Sequence, residues 1–363
     1  MSEMVEQMAW FVNSRKRGIG LVYCFFGGVL SIVLLSFFSE KLNHRTNGFI
    51  RLVPPHVSMP VKIRDIRFNS FYFAGGTATH FYLANHTAPG LVMSMTTGLT
   101  DSTTARISLA SAGGRFAKGL RISIDSPFIH LFEGITPGIA RGVLGDTLLH
   151  RENAGLYFSL AEPLSPVSQV YRAVDDRIHE NVLVKQIGSS LLPASHVLEK
   201  QVDGIFCTDG ALIAQPDSNR MVYIYRYRNQ FICLDTNIRI RYKARTIDTI
   251  SRVKFTVGAI PSQRAITLSS PPQFVNEQSC VSGNYLFIHS ALHADNEEMG
   301  IFEKSSAIDV YSLVDGNYIL SFYLPDYRHN KIQEFRVFGH TLVALYDHYL
   351  YTYNLTIPEK MRQ

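Results

Sequence analysis

The feature that most constrains this chain is a side-chain alternation of period two, which returns from its first third to its carboxyl end. Ile238 to Arg245 reads IRIRYKAR: Ile238, Ile240, Tyr242 and Ala244 fall on one face of an extended chain, and Arg239, Arg241, Lys243 and Arg245 on the other. Successive strand residues point to opposite faces, so a segment of this kind is a half-buried strand. Met221–Tyr227 (MVYIYRY) and Gln230–Leu234 (QFICL) flank a short polar turn at Arg228-Asn229, and Arg252–Val257, Tyr285–His289, Ile308–Leu313, Tyr318–Leu324, Thr341–Tyr346 and Tyr349–Leu355 read the same way. Earlier in the chain, Arg67–Ala74, His80–Ala84 and Leu120–Asp125 join them. Helical spacing is nowhere sustained for three turns after Pro60.

Turn signals separate these runs at Gly75-Gly76, Gly113-Gly114, Asp209-Gly210, Gly283-Asn284 and Asp315-Gly316-Asn317. Short strands at spacings of roughly 8–12 residues indicate an all-β sandwich, barrel or propeller. The length between residues 61 and 357 exceeds one sandwich and suits about six blades of roughly 40–50 residues. The expected fold is therefore all-β, a six-bladed β-propeller-like domain over 61–357, with two stacked sandwiches as the other arrangement. A strand-rich Arg67–Thr87 and a strand-rich tail suit a ring that closes by joining its ends. No motif returns at a fixed period.

Before this region, Gly18–Phe38 (GIGLVYCFFGGVLSIVLLSFF) carries no charge. At about 1.5 Å per residue such a helix spans a hydrocarbon core of roughly 30 Å. The run is longer than a signal-peptide core, and its exit, Ser36-Phe37-Phe38-Ser39, lacks a small-x-small cleavage pattern. The reading is a short tail over 1–17, an uncleaved transmembrane helix over 18–38 with the lipid bilayer as its partner, and an extended linker over 39–60, where Pro54, Pro55 and Pro60 stand. Arg15-Lys16-Arg17 abuts the span and places the amino terminus in the cytoplasm, leaving the carboxyl-terminal domain periplasmic or otherwise extracytoplasmic. The 35 Lys and Arg against 30 Asp and Glu give +5, too mild an excess to imply a nucleic-acid partner.

Three stretches carry a family resemblance: Phe68–Gly75 (FNSFYFAG), Val202–Gly210 (VDGIFCTDG) and Val343–Leu350 (VALYDHYL). Together they resemble uncharacterised, membrane-anchored proteins of Bacteroidota-type bacteria that look like six-bladed, TolB-like propellers behind one amino-terminal helix. The resemblance implies fold and location and brings no activity with it.

The familiar catalytic signatures are missing: no GxSxG, HExxH, Walker loop, CxxC or dinucleotide glycine fingerprint occurs. Ser251-Arg252-Val253-Lys254 matches SxxK, but that motif needs a helix to bring Lys to Ser, and the segment reads as strand. His289 and His293, with Asp295, Glu297 and Glu298 behind them, have the ligand types for zinc; a solvated acidic loop is the plainer reading. Asn181, Asp203 and Asp209 are the candidates for calcium through hard oxygen ligands, against turn-ending carboxylates that bond their own backbone. His80, His86, His130 and His150 read as packing or surface groups. The basic face Arg239, Arg241, Lys243, Arg245 reads as an outer edge strand protected by like charge. Cys207, Cys233 and Cys280 read as buried thiols, with a Cys207–Cys233 bridge as the alternative in an oxidising compartment. No catalytic residue and no cofactor is assigned. The functional reading is a membrane-tethered, non-catalytic binding or scaffold module of the cell envelope, with other envelope proteins as partners. The alternative is an envelope hydrolase or lyase with a metal-assisted site in the propeller channel.

Overall fold

The computed structural model describes residues 23, 25–36, 47–109, 119–146, 148–260 and 265–357. The chain forms two compact units, Met1–Asn47 and Gly48–Gln363. In the first, a helix, α1, runs over residues 25–36 with every described side chain exposed. Among the described residues no helix is long and apolar enough to cross a membrane. Residues 18–22, 24, 37 and 38 of the expected span lie outside them.

The second unit is all-β apart from short helical turns. Its first strand, β1 (Ser58–Asp65), is followed by two four-stranded antiparallel meanders, β2–β5 (Phe71–Gly76, His80–Asn85, Leu91–Thr96, Ser102–Arg106) and β6–β9 (Arg121–Asp125, Phe128–Glu133, Gly138–Val143, His150–Asn153). A third meander is β10–β13 (Phe158–Ser165, Ser168–Asp175, Glu180–Ile187, Ser190–Ala194), and a fourth is β14–β17 (Gly210–Gln215, Arg220–Tyr225, Phe231–Leu234, Ile240–Ala244). A hairpin, β18–β19 (Val257–Ile260, Ala265–Leu268), interrupts the series. A fifth meander, β20–β23 (Asn276–Ser282, Tyr285–Ser290, Ser305–Ser312, Tyr318–Pro325), then follows, with the short helix α2 (Met299–Glu303) between its second and third strands. The last, β24–β26 (Glu334–Phe338, Thr341–Tyr346, Tyr349–Leu355), has only three strands of its own. Its fourth is β1, paired antiparallel to β26 from Ser58 opposite Leu355 to Asp65 opposite Tyr349. Pro60 is tolerated in β1 because an outer strand can leave its missing amide on the solvent side. The first strands of successive meanders lie against one another in order, β2 by β6, β6 by β10, β10 by β14, β14 by β20, β20 by β24, and β24 again by β2.

Alternation accounts for the core. Buried residues from adjoining meanders interleave: Phe287, Ile308 and Leu320 of the fifth pack with Phe335, Leu342 and Tyr346 of the sixth. Leu164, Val170 and Leu183 of the third meet Leu212, Tyr223 and Ile232 of the fourth. Each sheet thus buries both faces of its middle strands, while its outermost strand keeps a wet face. In β17 the wet residues are Arg241 and Lys243, so the IRIRYKAR segment does form an outer edge.

Three expectations need correction. Gly75-Gly76 is not a turn; both residues end β2. Gly75 has φ of +151°, and its carbon lies so near the parallel partner Ile124 that a Cβ would stand 1.9 Å from the Ile124 carbonyl oxygen. Gly75→Ala is expected to destabilise the unit by about 2 kcal/mol, an overpacking cost measurable by urea unfolding. The Arg228-Asn229 turn joins β15 to β16 as expected, with both side chains buried. Of the segment expected as a linker over 39–60, the part from Gly48 on belongs to the compact unit, with Phe49 and Arg51 buried. Ser251–Lys254 forms neither helix nor strand, and the strand expected over Arg252–Val257 begins only at Val257. The three described cysteines, Cys207, Cys233 and Cys280, are buried and free.

Candidate ligand-binding rim

Strands of a meander alternate in direction, so its connections divide between two rims. At the rim where the first strands begin lie the second-to-third turns and the passages from one meander to the next. At the other lie the remaining hairpin turns. Bonds between meanders draw the first rim together. Glu334 at the head of β24 accepts the Phe73 amide at 3.0 Å, Asn276 at the head of β20 donates to the Tyr225 and Arg228 carbonyls at 2.8 and 3.1 Å, and Arg172 reaches Asp209 before β14 at 2.7 Å. The long connections 195–209, 245–275, 291–304 and 326–333 all rise here.

The sequence-derived candidates lie at this rim and are occupied. Asp203 caps its own loop, its carboxylate accepting the amides of Ile205, Phe206 and Cys207 at 2.6, 2.5 and 3.1 Å. Asn181 donates to the Ile205 carbonyl and Thr208 hydroxyl of the same loop, at 2.9 and 3.0 Å. Asp209 sits between Arg172 and Arg226, at 2.7 and 3.0 Å. These three residues are brought together, but the Asp203 and Asp209 carboxylates hold backbone amides and guanidinium groups, and Asn181 donates through its amide nitrogen. His289 is buried in β21, with Nδ1 3.3 Å from Glu277. Burial, helped by Lys331 and Arg51, pushes its imidazole down to about 4, so the ring meeting Glu277 is neutral at pH 7. His293, in the following loop, has Nε2 2.9 Å from the Glu297 carbonyl oxygen and its ring edge-on to Phe302. Among the described residues no three His, Cys, Asp or Glu side chains gather so as to hold a metal ion.

A second group of polar residues lies on the first strands themselves: Arg121 on β6, Glu162 on β10, and Glu334 and Arg336 on β24. Arg336 pairs with Glu334 at 2.7 Å. Arg121 lies over the Tyr72 ring, 4.7 Å from its centroid, and the other ring contact of Tyr72 is His86, at 4.3 Å. The Glu162 carboxyl is pushed up to about 7, chiefly by lost solvation, against the pull of Arg336 and Arg121. These four charges come from three meanders and had no mutual signal in the sequence. Glu162 and Arg336 are each a charge between apolar neighbours, as in Leu160-Ala161-Glu162-Pro163-Leu164 and Phe335-Arg336-Val337, and that is the mark that would have found those two.

Exposed apolar side chains are more numerous at the first rim. Phe68, Ile135, Tyr157, Val174, Ile178, Val202, Phe274, Met299 and Ile301 stand there, against Val143, Leu148, Val167, Ile187 and Val314 at the other. Scattered exposed apolar residues are ordinary, but a concentration on one face marks contact surfaces.

No family model matches the chain, and no curated protein does. Solved structures do. A member of the DUF4221 family from Bacteroides vulgatus is 12% identical, with a TM-score of 0.52, over 86% of this chain and 99% of that one. At that identity the likeness speaks to fold alone, and it agrees with an all-β architecture shared with an uncharacterised Bacteroides family. Hsv2 of Kluyveromyces lactis (10% identity, TM-score 0.40, 81% of this chain and 76% of that) and a chain of a nidogen/laminin complex (10%, 0.40, 70% and 81%) are too distant to bear on it.

Proposed function

We propose that the six meanders are the blades of a six-bladed, TolB-like β-propeller closed by β1, and that the protein is a non-catalytic binding module of the cell envelope. The closed order of first strands and the borrowed fourth strand of the last meander support the ring. In this reading residues 18–38 cross the bilayer once, the amino terminus is cytoplasmic, and the propeller is extracytoplasmic; the uncharged run of 21 residues supports this. The observation that carries the binding role is the asymmetry between rims. Long connections and exposed apolar side chains concentrate where the first strands begin, while a rigid all-β body supports them. Rigid scaffolds that display variable loops on one face bind through that face. Envelope proteins are the partners this surface suits, since its apolar residues are spaced among polar loops as in protein interfaces.

The test is site-specific photo-crosslinking of the full chain in its native membranes. A photoreactive residue at Ile135, Ile178 or Val202 is expected to give discrete adducts, and one at Val167 or Val314 none. Adducts from the second set alone would overturn the assignment of the rim. Release of the chain from membranes by alkaline carbonate would overturn the anchor.

A further inference from the structure

Six exposed apolar side chains stand within fourteen consecutive positions: Ile50, Leu52 and Val53 on the segment that leads into β1, and Met59, Val61 and Ile63 on β1 itself. Ile50 and Val61 are the most open, at 69% and 67%. The two pieces share one stretch of the outer edge. The Leu52 carbonyl accepts the Ser321 amide at 2.7 Å, and Ser58 at the head of β1 donates to the Tyr323 carbonyl at 3.3 Å, so both run beside β23, the outermost strand of the fifth meander. β1 is in turn the outermost strand of the sixth. Single exposed apolar residues need no explanation, but a contiguous group marks a contact surface. Its charge is one-sided. No Asp or Glu occurs from Lys41 to Arg64, and the first acid after them, Asp65, is turned to the Arg67 amide at 2.7 Å. Arg51 is spent on Asp309 and Glu297. Lys62, however, is exposed, and Arg64 bonds uncharged groups, the carbonyls of Leu99 and Thr100 and the Ser102 hydroxyl.

We propose that this edge of the fifth and sixth meanders lies on the surface of the bilayer, its apolar side chains in the headgroup region and Lys62 and Arg64 beside anionic lipid. The inference rests on the anchored reading and goes beyond it, since an anchor alone leaves the domain free to stand clear of the membrane. Ile50 follows Phe38, the last residue of the expected span, by twelve positions. Even fully extended, that length of chain holds Ile50 within about 40 Å of the end of the span. Segments that lie in a membrane surface join apolar side chains to basic ones, and anionic headgroups attract the basic ones. A second copy would be the other occupant, adding a strand of its own to β1. The edge is built against that. Pro60 has no amide to give, the register with β26 shifts between Pro60 and Lys62, and Lys62 sets a charge there. Lipid asks for no backbone bonds.

Tryptophan fluorescence of the full chain in vesicles of phosphatidylcholine and phosphatidylglycerol tests it, with and without bromine on the acyl chains near the headgroups. Bromine quenches an indole only where the indole reaches the acyl chains. The chain's one Trp, Trp10, is first replaced by Phe. Val61→Trp and Ile50→Trp are then each expected to lose most of their emission in brominated vesicles, with the fold unchanged by circular dichroism. Leu192→Trp, at an exposed apolar position on the outermost strand of the third meander, is expected to lose little. The proposal is overturned if either edge probe escapes quenching, or if Leu192→Trp is quenched as strongly. Escape with a blue-shifted emission that follows the protein-to-lipid ratio would assign the edge to a second copy instead. Quenching undiminished when phosphatidylglycerol is left out would overturn the part given to Lys62 and Arg64. The anchor is judged separately. Edge probes unquenched in a chain that alkaline carbonate does not release would strike the surface contact and leave the anchor, whereas release of a chain whose edge probes had been quenched would strike the anchor and leave the contact.

Discussion

Arg51→Met is expected to destabilise the Gly48–Gln363 unit by about 3–5 kcal/mol, the cost of leaving buried carboxylates without their cation. The guanidinium is enclosed on every side, and Nε meets Asp309 and Nη1 meets Glu297, each at 2.7 Å. Burial alone would loosen its proton, and the two carboxylates more than reverse that, so it stays charged. Its backbone is held as firmly. The Arg51 amide donates to Asn296 at 2.9 Å, Asn296 donates back to the Arg51 carbonyl at 2.8 Å, and the Gly48 amide donates to the Asp295 carboxylate. Next along, the Leu52 carbonyl accepts the Ser321 amide at 2.7 Å. The strap 48–53 thus fastens the connection 291–304 to the outer edge of the fifth meander. Removing the cation leaves Asp309 with Ser321 and Glu297 with Tyr323 as their remaining side-chain partners. The measurement is the urea midpoint of the full-length variant. Arg51→Lys is expected to lose less, because one ammonium keeps the charge but cannot fork to two carboxylates. A loss under 1 kcal/mol for Arg51→Met would mean the strap is not docked.

That strap shows where sequence reading stops. IRIRYKAR was legible because it carries its packing requirement locally, one face apolar and the other wet, and YILSFYL and TLVALY because short, β-rich apolar runs between turn signals make buried strands. β1 escaped it. Met59, Val61 and Ile63 of SMPVKIRD point outward to partial exposure, and Pro60 reads as a break unless the strand is known to lie on an edge. Arg51 looked like linker because its partners are about 250 residues away, and nothing near Arg51 announces Asp309. Arg121, Glu162 and Arg336 likewise stand on separate meanders, and no local pattern ties one to another. The role of Asp203 as a cap was legible, because short carboxylates ordinarily bond nearby backbone, whereas Asn181 reaches that loop from β12 across more than twenty residues. The glycines divide in the same way. Gly283 and Gly316 are turn residues with positive φ, as their flanking Asn and Asp suggest, whereas Gly75 is demanded by a strand from the next meander.

Acid is expected to expose a second buried group. His130 on β7 is 1% exposed, its Nδ1 has no hydrogen-bond partner, and its ring stacks on Phe132 with centroids 6.0 Å apart. Burial first, and Arg141 on the neighbouring strand second, push the imidazole down to about 4. An unfolded histidine takes its proton near pH 6.5, so below that pH the unfolded chain binds a proton that the folded one refuses. The stability His130 allows is complete above about pH 7.5 and is lost as pH falls from 6.5 to 4, by about 3 kcal/mol in all. Glu162 has the opposite sign. Its folded carboxyl titrates at about 7, above the unfolded value, so the folded chain binds the extra proton and gains stability between pH 7 and the ordinary glutamate range. Wild type alone would blur the two, and differences separate them. His130→Phe keeps a planar ring in the stack, and its stability relative to wild type should rise by about 3 kcal/mol from pH 8 to pH 4, whatever constant offset the new ring brings. Glu162→Gln should fall relative to wild type over the upper part of the same range. Urea midpoints for the three proteins at five pH values decide it, and a pH-independent gap between His130→Phe and wild type would show that the imidazole reaches water.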